Sequence, residues 1–178
     1  MHSLPEITER FRLALDYAAQ KHAQQTRKAS DIPYLSHLLG VCSIVMANST
    51  DEDVWIAALL HDSIEDQGGE MTAIEIERMF DKRVAELVRG CSEMTATADA
   101  PKPTWLERKM DYLARLADTD PSVVLISVAD KLHNARSVLA DWRRCGDDVY
   151  CRFSQGKNGT HWYYQEMIKV YKKTGKAP

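Results

Sequence analysis

Four cysteines, Cys42, Cys91, Cys145 and Cys151, stand too far apart to form any C-x-x-C pair, which excludes a zinc knuckle and a redox dithiol. They read as reduced thiols, mostly buried. No apolar stretch reaches the ~20 residues that a bilayer-crossing helix needs, and the opening MHSLPEITERF has no apolar core of the secretory type. A cytoplasmic location without a membrane partner is expected. Neither sign of charge dominates, since 23 Lys and Arg against 26 Asp and Glu leave a formal net charge of −3. That balance lacks the basic stripe expected of a nucleic-acid surface. Alternation of period two is nearly absent as well, which removes sheet architectures and leaves an all-α fold.

What is there fits one soluble domain spanning 1–178: 44% of the residues are hydrophobic and 28% charged. A chain of this length hides roughly 70% of its unfolded surface on folding. Its core needs no metal staple, so a metal found in it serves chemistry.

Ile7, Phe11, Ala14, Leu15, Ala18 and His22 recur at three- and four-residue steps behind Ser3 and Pro5, predicting a first helix that runs to about Gln24. Residues 25–35 follow as a polar loop that carries Arg27 and Lys28 and in which Pro33 holds Ile32 extended. Ser36 is the expected cap of a second helix, with His37 in its first turn and Leu38, Val41, Ile44 and Val45 inward. Thr50 and Asp53 resemble a capping box for a third, whose run from Val54 to Leu60 is apolar on every side and must be central. Gly68-Gly69 is its expected end. Shorter helices around Ile74–Phe80 and Val84–Met94 lead to a loop over Thr95–Thr104 and a helix from Trp105 to Leu116. Asp118-Thr119-Asp120-Pro121 then opens a second core helix through Val123, Val124, Leu125, Ile126, Val128 and Ala129. A last helix surrounds Trp162, Tyr163, Met167, Ile168 and Tyr171.

Both core helices run into charge, LLHDSIED after the first and SVADKLHN after the second. Carboxylates beside a core are costly unless paired or bound to a cation. At 100° per residue His61, Asp62, Glu65 and Asp66 line one side of a helix, and Asp130, His133 and Asn134 do the same on the other. A His-Asp pair needs two further ligands, for which His37 and Asp130 are the best candidates. Two imidazoles and two carboxylates suit manganese, iron or another first-row divalent ion and not copper(I). A lone His-Asp dipeptide carries little weight; the added acids and the histidine in a first turn make the metal site the better reading. His22, facing the core, reads as structural, His2 and His161 as surface or packing residues, and His133 as a hydrogen-bond partner rather than a ligand.

RKASDIPYLSH at 27–37, HDSIED at 61–66 and ADKLHNAR at 129–136 resemble, in that order and spacing, the HD-domain hydrolases of stringent-response alarmones, the RelA/SpoT hydrolase-domain family with its small stand-alone members. The core of the likeness covers residues 8–140. A C-terminal helical extension, 141–178, contains GKNGTHWYYQEM, which looks like the ending of short bacterial members. The resemblance implies an HD-domain helical bundle with Mn2+ on His37, His61, Asp62 and Asp130, and release of pyrophosphate from the 3′ position of ppGpp or ppApp. It implies a catalytic acidic pair in Glu65 and Asp66, nucleotide-side cations in Arg27 and Lys28, and a ribose contact in Asn134. It also implies a degrading activity alone, since the synthetase half of the long members is not seen.

Asp31, Leu38 and Gln67 depart from the family's usual glycine, proline and threonine; none removes a ligand or a catalytic acid, but they fall on the nucleotide-side loop and the site's margin, which bears on the identity of the base. A polyanionic substrate calls for local cations, for which Lys102, Arg108 and Lys109 are candidates and Lys131 and Arg136 weaker ones. Trp105, Trp162 and Tyr163 could stack on a base, though aromatics at helical spacing are more often core. Rival readings are a phosphohydrolase of another nucleotide, such as the NADPH 2′-phosphate or a nucleoside monophosphate, and a non-catalytic nucleotide-sensing HD protein. The presence of both acids weighs against the latter. Oligomeric state is not read from the sequence.

Overall fold

The computed structural model describes residues 6–93 and 103–175. His2, Ser3, Pro5, Met94 and residues 95–102, with Lys102 among them, lie outside the described residues. Within them the helices are α1 (Glu9–Lys21), α2 (Leu35–Met46), α3 (Glu52–Leu60), α4 (Ser63–Asp66), α5 (Glu70–Phe80), α6 (Lys82–Cys91), α7 (Trp105–Ala117), α8 (Pro121–Cys145), a 3-10 helix (Gly146–Arg152) and α9 (Gly156–Thr174). Among the described residues the sole β pairing is an isolated bridge, Thr26 to Pro33, in the loop before α2. The all-α expectation holds, and no helix there is long and apolar enough to cross a membrane.

Helices start where a side chain can satisfy the free N–H groups of a first turn. Thr8 accepts from Arg10 N, Asp81 from Val84 N, Asp120 from Ser122 N, and Thr104 makes a capping box with Glu107. Two starts differ from the sequence reading. Asp51, not Thr50, caps α3, because its extended backbone lets Oδ1 reach Asp53 N at 3.0 Å. α2 begins at Leu35 behind Tyr34, with Ser36 already inside the helix. α1 stops at Lys21, ahead of Gln24, since the chain turns there through a Gln25 N to His22 O bond of 3.0 Å.

The largest departure lies at α3, which ends at Leu60 rather than at Gly68-Gly69. His61 and Asp62 form a turn, and α4 is a single turn of four residues. Every residue from Val54 to Leu60 is buried, and α1, α2, α6 and α8 pack around that helix. Gly90 lets α6 lie close to α8, because a Cβ there would meet Val123 Cγ2 at 2.7 Å. Arg10 ties α1 to the surrounding helices, bonding Asp53 and Asp81 at 2.9 Å each.

α8 is buried as far as Asp130, then runs on unbroken past residue 140, flanked by the 3-10 helix and α9. Trp105 packs against Trp162 and Tyr163, with ring centroids 5.6 and 6.2 Å apart, so these aromatics join α7 to α9. The cysteine expectation fails in part. Cys42 is buried, Cys91 half-buried, and Cys145 and Cys151 are exposed because they fall beyond the apolar half of α8.

Leu59 is wholly inaccessible in this central helix. Leu59→Ala is expected to cost about 2–5 kcal/mol by lost burial and the cavity left behind, read from the urea midpoint at constant m-value.

Candidate metal centre

The break after Leu60 aims His61. Its Nδ1–H donates to Ala58 O at 2.9 Å, which leaves the Nε2 lone pair pointing away from the helix that it ends. Asp62 Oδ2 lies 3.0 Å from that Nε2 and 3.6 Å from His37 Nε2. Asp130 Oδ1 lies 3.2 Å from His37 Nε2 and 3.9 Å from His61 Nε2. Three elements, the first turn of α2, the turn after α3 and the buried half of α8, thus bring His37, His61, Asp62 and Asp130 together.

Both Nε2 atoms are buried and make no hydrogen bond. Orphaned imidazole nitrogens facing carboxylates need positive charge between them. The ligand atoms of His37, His61 and Asp62 all lie within 4.8 Å of one another, and the nitrogen and oxygen donor set fits a first-row divalent cation. A proton competes for the same place. Burial lowers the His61 pKa, but the nearby Asp62 carboxylate outweighs it and raises the value to about 9.

Each donor is held from behind, as metal ligands need to be. His37 Nδ1 meets His133 Nδ1 at 2.8 Å. Burial, the neighbouring His37 and Arg27 push His133 down to about 4, so as a neutral ring it can accept from His37 Nδ1–H, the tautomer in which Nε2 offers its lone pair. Gly40 makes the room: a Cβ there would sit 2.3 Å from His133 Nε2. Tyr34 donates its hydroxyl to Asp62 Oδ2 at 2.6 Å. Lys131 Nζ bonds Asp130 Oδ2 at 2.6 Å, and the Asn134 amide donates to Asp130 Oδ1. Burial pushes both aspartates upward, yet His61 for Asp62 and Lys131 for Asp130 outweigh it and hold them ionised.

Around this centre lie the other residues singled out from the sequence. Asp66 and Glu65 sit on α4 and reach solvent. Asp66 Oδ2 accepts from Gln25 Nε2 at 2.7 Å, and Glu65 Oε2 from Glu93 N at 3.2 Å. Partial desolvation raises both carboxyls, with the Glu93 charge adding to the rise at Glu65. Arg27 Nη2 donates to Asn134 Oδ1 at 2.6 Å and lies over the Tyr34 ring, which joins those two to the donors. Lys109 and Arg108 both pair with Glu93. Lys28 instead packs over the Phe153 ring at 5.7 Å. Lys131 clamps a donor. His22 is a satisfied core histidine, and His161 bonds Tyr150 at 2.9 Å.

Tyr34, Gln25, Glu93 and Gly40 escaped the sequence reading. Tyr34 stands three residues before His37, one turn below it, and Glu93 follows the apolar run of α6 just as Asp130 ends that of α8. Those two had a legible signal. Gln25 and Gly40 had none, because an amide in a polar loop and a glycine in a helix are ordinary.

Saturating Mn2+ is expected to stabilise the protein by about 2.7 kcal/mol at a hundredfold excess over Kd, or about 5–10 °C in Tm for a chain of this size. His61→Ala and Asp62→Ala should abolish that shift in differential scanning fluorimetry. Gly40→Ala should shrink it by displacing His133, without touching a donor.

Residues 14–160, which contain His37, His61, Asp62 and Asp130, match the HD domain family. The chain is 40% identical over 135 residues to guanosine-3′,5′-bis(diphosphate) 3′-pyrophosphohydrolase MESH1 of Mus musculus, covering 74% of this chain and 69% of that one. Against MESH1 of Homo sapiens it is 34% identical over 178 residues, covering 91% and 93%. A solved structure described as a metazoan ortholog of SpoT that hydrolyzes ppGpp superposes with a TM-score of 0.67 and 28% identity, over 96% of this chain and 98% of that one. The chain belongs to the HD domain family, on the branch that carries these MESH1 pyrophosphohydrolases.

Proposed function

We propose that this protein is a metal-dependent hydrolase that removes pyrophosphate from the 3′ position of an alarmone nucleotide, (p)ppGpp or (p)ppApp. The observation that carries the reading is the pair of buried, unbonded Nε2 atoms of His37 and His61 facing Asp62 and Asp130. Membership of the MESH1 branch supports the substrate class.

His37, His61, Asp62 and Asp130 would hold the ion, which two imidazoles and two carboxylates restrict to manganese, iron or another first-row divalent cation and which the resemblance to the alarmone hydrolases assigns as Mn2+. When bound, such an ion supplies Lewis acidity, acidifying water and drawing charge from a phosphoryl oxygen. The reaction joins a water oxygen to the phosphorus at the ribose 3′ oxygen, breaks that P–O bond and returns a proton to the 3′ oxygen. Glu65 and Asp66 serve it as the acidic pair. Their raised affinity for protons suits groups that take one from water and pass one to the leaving oxygen.

Substrate charge falls to the cations at the margin. Arg27 and Asn134, bonded to each other beside Asp130, meet the nucleotide on one side. Lys109 and Arg108 meet phosphate on the other, where a phosphate oxygen must compete with Glu93 for them. Lys28, on the same loop as Arg27, adds charge at the loop's outer edge.

Manganese-loaded protein incubated separately with ppGpp, ppApp and NADPH should release pyrophosphate from at least one alarmone. Orthophosphate from NADPH, with nothing from either alarmone, would overturn the substrate class. Glu65→Gln and Asp66→Asn should each lower kcat by about 10²–10⁴-fold while keeping the manganese-induced rise in Tm; unchanged turnover would remove them from the mechanism.

A further inference from the structure

Behind Asp66 lies a linked set of hydrogen bonds. Gln25 Nε2 donates to Asp66 Oδ2 at 2.7 Å. Gln25 Oε1 receives Gln67 Nε2 at 2.6 Å and faces His22 Nδ1 at 2.7 Å. The far nitrogen of His22 meets the Ser63 hydroxyl at 3.2 Å; a neutral ring with its proton on Nδ1 donates to Gln25 Oε1 and accepts the Ser63 hydroxyl proton. Reversing the Gln25 amide would set its NH2 against two N–H donors and its oxygen against a carboxylate. Only one orientation satisfies every partner.

The frame around this amide is stiff. His22 is 2% exposed and lies flat on the Tyr34 ring, 5.3 Å between centroids at 18°. Gln25 is pinned by its own backbone, which donates to His22 O and accepts from Tyr34 N. Ser63 and Gln67 bracket α4, the single turn that carries Asp66. Asp66 itself has much less to hold it, being solvent-exposed at the last position of a four-residue helix. Without an anchor its carboxylate would sample several rotamers, at an entropic cost each time it reached the working one.

We propose that Gln25 is a positioning residue for Asp66: its NH2 anchors Oδ2 and leaves Oδ1 for the reacting water, while His22 and Gln67 fix the direction of the amide. The proposal rests on Asp66 acting in catalysis as described above.

Gln25→Leu keeps the bulk and removes the anchor, and it should lower kcat by about 10–100-fold with KM changed by less than about twofold. His22→Phe retains the stacked ring but loses both nitrogens and should lower kcat in the same direction, by about tenfold. The manganese-induced rise in Tm should persist in both, which separates this effect from collapse of the fold. In an Asp66→Asn background Gln25→Leu should cost less than about twofold more, because a residue acting only through Asp66 has nothing left to position. An equal loss in both backgrounds, or an intact kcat in Gln25→Leu where Asp66→Asn is slow, overturns the positioning role while leaving Asp66 catalytic. Undiminished turnover in Asp66→Asn defeats the catalytic role itself, and this proposal with it.

Discussion

Two imidazole nitrogens and two carboxylates meet in a space that water scarcely enters, and such a meeting is stable only with positive charge in its midst. The rest of the architecture answers to that demand. α3 is apolar on every side so that it can be wrapped by four other helices, and it ends one residue before His61, which the break then turns toward the site. α8 is apolar for its first turns and delivers Asp130 at the same depth. α2 contributes His37 from a turn that the Tyr34 start of the helix sets in place.

Charge around the centre is balanced locally rather than globally. Lys131 offsets Asp130, Glu93 holds Lys109 and Arg108, and Arg27 reaches Asp130 through Asn134. A protein with a formal net charge of −3 can therefore present cations to a polyanion without a basic surface. The acids on α4 sit at the boundary between this dry interior and solvent, which is where a carboxyl keeps a raised pKa and still exchanges protons.

Much of this was legible in the residues alone. Apolar runs ending in His-Asp and in Asp-x-x-His-Asn pointed to the core helices and to three of the four candidate donors, because an acid after a greasy stretch is expensive unless it is bound. The boundaries were less legible. A helix drawn through His61 to Gly68 would have placed the four charged side chains on one cylinder; the chain instead stops and restarts, separating donors from acids. Propensity does not encode that break, at which His61 Nδ1–H takes the Ala58 carbonyl. Gln67 could be read only as a departure from a family pattern, and its contact with Gln25 depends on a loop whose course the sequence leaves open. Arg108 and Lys109 looked like free cations because Glu93, fifteen and sixteen residues away, lies across a segment that no local pattern bridges.

The donors come from positions 37, 61, 62 and 130, so the centre is assembled from parts of the chain made at very different moments of synthesis. A nascent polypeptide that has emerged only through α7 holds three of the four and lacks Lys131 and Asn134, which keep the fourth in place. In the proposed centre the fourth donor would thus arrive only with the docking of α8 against α2 and α3. Full coordination there would then mark the moment when translation has passed residue 130 and the late-made helix has found its groove.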